Sequence, residues 1–375
     1  TKAAAGDALT AEDGTIAGGG VQFRVNPVAA IVNTFSHSIN GVNIETVSNV
    51  GECAAILNRT SLSHEYLYSS GGSMFRLCGH NGTGNSLQEI LLPGGALQPW
   101  DGLTKVWDCA WVPPSGFFSM AGSLPGGRHR FVLTHSGALR EHIMMMSPLR
   151  AALADGQIVN VSIESITLHA THMIPDVVTP IPRNVVLSLH PLSVVMSQLP
   201  NSAGATTHTL SVPPSTDRLF VCANLQTAGT TCDAENGYGA FAPRIQSLQV
   251  SYAGITMPQN GYTNCAYGEA EREVLKPYAD LLMATGRMYL ESSAYDLMEE
   301  YASSPIFALT FEKARNDSST SVQIRLIQKA AVMETSLNKA FAAGNLVVGA
   351  QSHVAVVLTY DESGMISSCD SVVEL

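Results

Sequence analysis

Apolar and polar positions alternate with a period of two along most of the patterned stretches of this chain, the signature of strands with one buried face. In the first half the pattern predicts strands over residues 21–25, 29–38, 128–134 and 158–169. In the second half it predicts strands over 184–189, 207–212, 218–225, 245–252, 306–312, 321–327 and 353–360. Helical spacing is rarer. Ala54, Leu57, Leu62 and Tyr66 predict a helix over 52–67, and Leu275, Tyr278, Leu282 and Met283 predict one over 269–285. Glu269, Glu271 and Glu273 suit the positive N-terminal end of that second helix, while Pro277 marks a start near itself or a kink. A short helix is expected over 293–301.

One unit is spelled twice. Residues 36–45 read SHSINGVNIE and residues 249–258 read QVSYAGITMP. Each is an alternating run, a small residue with Gly, and a second β-type run, followed by an acidic helix candidate. Asn40-Gly41 between two such runs predicts a hairpin, because both residues tolerate positive φ. Ala253-Gly254 holds the corresponding place in the second copy. These four residues are the candidate corner turns. Pro175, Pro180 and Pro182 break the pattern between the copies, since proline lacks the donor that a strand ladder needs. The chain thus divides into halves at 1–180 and 183–375, each long enough for an eight-stranded sandwich with insertions. The repeat period is far too long for a solenoid. Residues 1–20, small and Gly-rich, read as an arm; residues 75–118, with Trp100, Trp107 and Trp111, read as a loop-rich segment.

Composition sharpens this picture. The 32 glycines and 18 prolines, spread along the chain, suit many short strands and turns better than long helices. Only 14% of the residues are charged, against roughly 25% in an average domain, which points to a large core or a largely hidden outer surface. The net charge is −11 and no Lys/Arg-rich run exists. Direct nucleic-acid binding is therefore disfavoured, because neutralising phosphates needs clustered cations. No run reaches the length of a membrane-spanning helix. Seven cysteines, an odd number with no Cys-x-x-Cys pair, read as buried thiols rather than a disulfide framework. The sequons at Asn58, Asn81, Asn160 and Asn316 are not read as glycosylation, and folding inside a cell is expected. Because the chain begins with Thr1, processing or a later start is expected.

No motif builds a catalytic constellation. His169 and His172, three apart in a predicted strand, point to opposite faces and do not make a metal pair. The Gly-rich stretch 80–85 lacks the Gly-Lys-Ser/Thr ending of a phosphate loop. The Gly-x-Ser-x-Gly elbow is absent, and His64-Glu65 has no second His at zincin spacing. Asp280, Glu299 and Glu300 read as solvated helix faces, and Met144, Met145 and Met146 as packing. No catalytic, cofactor-binding or metal-binding residue is assigned.

The order of short motifs resembles the major capsid proteins of Polinton-like viruses and virophages, in the lineage of adenovirus hexon. The resemblance runs from Val25-Asn26-Pro27 through Asn33 and Ser38 into Ile39-Asn40-Gly41, then Asn49 and Leu57-Asn58-Arg59-Thr60-Ser61-Leu62-Ser63. In the second half it runs from Val212-Pro213-Pro214 to Tyr252-Ala253-Gly254, Ala284-Thr285-Gly286, Pro305-Ile306-Phe307 and residues 356–360. It covers most of the chain from about residue 21 to 362. It implies an all-β fold of two tandem eight-stranded jelly rolls with short helices in the loops. The family carries two further strands ahead of the Pro-Asn segment, so the first roll is expected to begin upstream or to be trimmed.

The resemblance also implies a function. The expected protein is the major capsid protein of a DNA virus, a homotrimer forming pseudo-hexagonal capsomers that tile an icosahedral shell. It would be assembled inside the host cell and located in the virion. Its implied partners are neighbouring capsomers, penton and minor capsid proteins and, beneath some shells of this lineage, an internal membrane. Low charge fits large subunit interfaces, whose buried cores are depleted in charge. The alternative reading is a two-domain jelly-roll carbohydrate-binding module or enzyme, for which Trp100, Trp107 and Trp111 are the one aromatic cluster able to line a cleft.

Overall fold

The computed structural model describes residues 21–23, 27–63, 65, 111–118, 127–135, 143–145, 163, 165–167, 183–200, 202–227, 241, 244–266, 272–288, 298–311, 320–329, 341–362 and 365–373. Strand β1 (Val21–Phe23) is followed by a helical turn, α1 (Pro27–Ile31). The sequence pattern predicts a single strand over 29–38. Instead Pro27, whose φ is preset for the first position of a helix, opens α1, and β2 spans Val32–Ile39. A hairpin leads to β3 (Val42–Ser48) and then to α2 (Val50–Ser61). The chain turns extended at Leu62, which ends this helix; Glu65 is helical again, and residues 64, 66 and 67 of the predicted helix lie outside the described residues. Strand β4 (His129–His135) pairs with the other side of β2, giving the antiparallel sheet β3-β2-β4. Strand β5 (Ile143–Met145) pairs with β1. Residues 163 and 165–167, within the predicted strand 158–169, are not in a strand.

The second half is one long hairpin folded over on itself. After β6 (Asn184–Leu189) come β7 (Leu192–Leu199), β8 (Gly204–Ser211), β9 (Thr216–Thr227), β10 (Ile245–Tyr252) and β11 (Ile255–Tyr262). Helices α3 (Leu275–Ala284) and α4 (Met298–Ser303) precede β12 (Phe307–Thr310), β13 (Ser321–Gln328) and β14 (Phe341–Ser352). The nested antiparallel pairs are β10 with β11, β9 with β12, β8 with β13 and β7 with β14. Rolling this ribbon brings β14 beside β9 and β13 beside β10. Two four-stranded sheets result, ordered β12-β9-β14-β7 and β11-β10-β13-β8, which is the jelly-roll connection. Helix α3 starts at Leu275 rather than Glu269. Pro277 thus falls in its first turn, where the missing donor costs nothing.

The roll closes over Leu219, Val221, Tyr252, Phe307, Phe311, Ile324, Leu346 and Val348, all buried. The sheet holding β9 and β14 is also covered on its outer side. There Phe220, Cys222 and Val347 join Phe35, Val47, Cys53 and Ile56 of the first half, with Leu281 and Ala284 of α3. A third core lies where β15 (Val354–Tyr360) and β16 (Ile366–Val373) form the sheet β16-β15-β6. Its Leu187, Leu189, Val356, Leu358 and Ile366 pack on Ile39 and Ile44 of the first half. Both ends of the second half therefore lean on the first.

Candidate functional site: two corner units and the buried junction between the halves

The two corners have the same backbone. Asn40 and Gly41 sit at φ 50° and 87°, and Ala253 and Gly254 at φ 49° and 74°. Positive φ at both central positions defines the type I′ turn, whose twist matches that of the flanking strands. Asn40 is held firmly. Its backbone N–H donates to the Arg128 carbonyl at 3.0 Å, its side-chain oxygen accepts from the Arg128 N–H at 3.1 Å, and its amide donates to the Ile366 carbonyl. The second corner borders a shallow depression of about 290 Å³ lined by Ser251, Tyr252, Thr320, Ser321 and Gln323.

The likeness continues past the corners. Asn49 follows β3 at φ 52°, and Asn264 follows β11 at φ 51°. Asn tolerates this left-handed region better than most residues, and here it redirects the chain from each hairpin toward a helix. The shared unit is strand, I′ corner, strand, left-handed Asn, helix. Asn264 is not singled out by the sequence pattern; its signal was an Asn two residues beyond a strand that follows a Gly corner.

The first unit is built into the junction between the halves. The Asn49 amide donates to the Val194 carbonyl at 3.0 Å, and the Cys53 thiol donates to the Leu192 carbonyl at 3.5 Å. Opposite, Gly349 of β14 admits the helix. A Cβ there would lie 3.0 Å from Ile56 Cδ1 and 3.2 Å from Leu192 Cδ1. Arg287, just beyond α3, donates to the Ser61 carbonyl at the end of α2, a cation where the helix dipole is negative.

Among the described residues of the first half, the buried polar side chains are His37, Glu45, Thr60 and Ser115. Glu45 accepts from the Ser115 hydroxyl at 2.5 Å and from the Gly116 N–H at 3.0 Å, tying residues 113–118 across β3. Burial raises its pKa, while these donors pull the other way. His37 is fully buried against Phe117 and Phe131, at ring-centroid distances of 4.3 and 4.7 Å. Its Nε2 lies 3.1 Å from His129 Nδ1. Burial, and then the neighbouring His129, lower the His37 pKa to about 4. Burial also lowers that of His129. At neutral pH this is a pair of uncharged rings in an aromatic box.

None of this assembles into chemistry. Among the described residues no group of three or more His, Cys, Asp or Glu is arranged to hold a metal. Burial pushes the Cys53 and Cys222 thiols well up and that of Cys265 to about 12, the opposite of an activated nucleophile. Asp280 accepts from the Tyr262 hydroxyl at 2.7 Å. Trp111 packs edge-on against Phe35 at 6.2 Å, in the junction core rather than in a cleft. His80, Trp100, Trp107, His169, His172 and Met146 lie outside the described residues, as do the side chains of Met144, Met145, Glu299 and Glu300.

With this geometry in place, the chain is similar to two solved viral structures. One is a chain of the Sputnik virophage in its 3.5 Å cryo-electron-microscopy structure, with a TM-score of 0.59 and 12% identity, covering 95% of this chain and 76% of that one. The other is the crystal structure of the mavirus major capsid protein, with a TM-score of 0.53 and 12% identity, covering 95% of this chain and 80% of that one. No protein-family model and no curated protein matches the chain. The likeness extends over both halves, and the fold is a double jelly roll.

Proposed function

We propose that this chain is the major capsid subunit of a DNA virus, acting by self-association rather than catalysis. The observation that carries the reading is the likeness over 95% of the chain to the mavirus major capsid protein. The repeated unit supplies its physical sense. Two similar rolls per chain let three chains present six similar rolls around one axis, so a trimer approximates a hexagon and tiles a shell built by symmetric association. The corner turns Asn40-Gly41 and Ala253-Gly254 are then equivalent positions of the two rolls. The rolls divide at 1–180 and 183–375, with β6, β15 and β16 crossing back to the first. The partners are two further copies in the capsomer, then neighbouring capsomers, penton and minor capsid proteins in the virion. Electron microscopy of the purified protein tests this: trimers of pseudo-hexagonal outline are expected, and isolated monomers under all assembly conditions would rule it out.

A further inference from the structure

Helices α2 and α3 follow the same corner unit, yet only α2 is buried around most of its circumference. Helix α2 buries Val50, Cys53, Ala54, Ala55, Ile56 and Thr60, which together ring most of its circumference. Part of that ring packs on β2 and β3, and part on Leu192, Phe220 and Val347 of the second half. Helix α3 buries only the stripe Pro277, Leu281 and Ala284, against its own roll at Ile306 and Ala308. Its other flank is open and carries exposed Leu275 and Met283, with Lys276 beside them. Leu275 is 68% exposed and Met283 is 55% exposed, with Met288 just beyond the helix also exposed. Large apolar side chains left exposed beside a buried stripe mark a surface suited to contact with a partner.

We propose that the open flank of α3, centred on Leu275 and Met283, is the contact by which the second roll of one chain docks on the first roll of a second copy. This rests on the capsid reading above. The internal repeat supplies the occupant. Within one chain, α2 sits between its own roll and the roll that follows. If rolls succeed one another around a ring, the roll that follows α3 is the first roll of the next copy. The neighbour then covers α3 as the second half covers α2. Methionine suits such a surface, because its flexible thioether fills irregular gaps when the partner arrives.

The test is native mass spectrometry of the full chain and of the variants Leu275→Asp and Met283→Asp, with Val112→Asp as a control at another exposed apolar residue. The expected result is a wild-type and control trimer, with trimer association weakened at least about tenfold in each α3 variant, as for a charge placed in an interface core. Trimers of undiminished strength in both variants would overturn the proposal and leave the capsid reading standing. Equal weakening by Val112→Asp would overturn the assignment to α3. A wild-type chain that never trimerises would overturn both. Should a variant fail to fold, hydrogen exchange on the wild type decides: residues 275–288 must gain protection on trimer formation, and unchanged exchange there refutes the contact.

Discussion

At the scale of single residues, three positions carry sharp expectations. Ala253 occupies left-handed space at φ 49°, where an L-residue with a Cβ is strained by about 1–2 kcal/mol and Asn by less. Ala253→Asn, which copies the residue of the first corner, is expected to stabilise the fold by about 0.5–1 kcal/mol in urea unfolding; a loss of stability would show that this backbone is not strained. Gly349 is the reverse case, since a side chain there meets Ile56 and Leu192. Gly349→Val is expected to cost about 1–3 kcal/mol by overpacking. Combining it with Ile56→Ala should give a total below the sum of the single effects, because the two share one space. His37 sets a pH dependence. Its folded pKa, about 4, lies below the unfolded 6.5, so below pH 6.5 the unfolded chain binds a proton that the folded chain refuses. Stability is therefore lost as pH falls from about 6.5 toward 4, by about 1–3 kcal/mol. Glu45, with a raised folded pKa, acts in the opposite sense, losing its contribution as pH rises. His37→Phe should flatten the acid limb in unfolding measured from pH 7 to 4, and an unchanged limb would remove His37 from the account.

At the scale of elements, the sequence was most legible where one face of a strand is buried. β13 alternates throughout and β10 does so from Leu248 onward, and the pattern finds both within a residue or so. It also finds β9, although Leu219 to Ala223 are all buried, but it misses β14. In β14, Leu346, Val347 and Val348 are all fully buried, Leu346 and Val348 in the roll and Val347 against the first half, so no period of two survives. The Ala and Gly residues of that strand hide it further, although Gly349 is small because α2 crosses there. β7, with Leu192 and Val194 turned to the junction and Leu199 to the roll, also escapes, because its buried positions change parity along the strand. Helix ends were misplaced because capping is decided by backbone state, as at extended Leu62, and not by apolar spacing. The corner unit was legible through Asn-Gly and Ala-Gly. The left-handed Asn264 was not, since one Asn beyond a strand carries no periodic signal.

At the scale of the whole molecule, the junction explains a composition that neither roll alone requires. Much of the outer side of the β12-β9-β14-β7 sheet is covered by the first half and α3. Only 14% of residues are charged, and the 20 Lys and Arg form no basic run of the kind that neutralises phosphates. A low charged fraction suits the buried interfaces of the proposed capsomer. The central claim is that two similar rolls let three chains stand for six. Its most direct test is cryo-electron microscopy of the purified assembly, averaged without imposed six-fold symmetry. The account predicts capsomers of three chains whose six roll densities form a near-hexagonal ring, with 252–254 of one roll superposing on 39–41 of the other. A monomer, or rolls whose two corners fall at unrelated places in the ring, would contradict it.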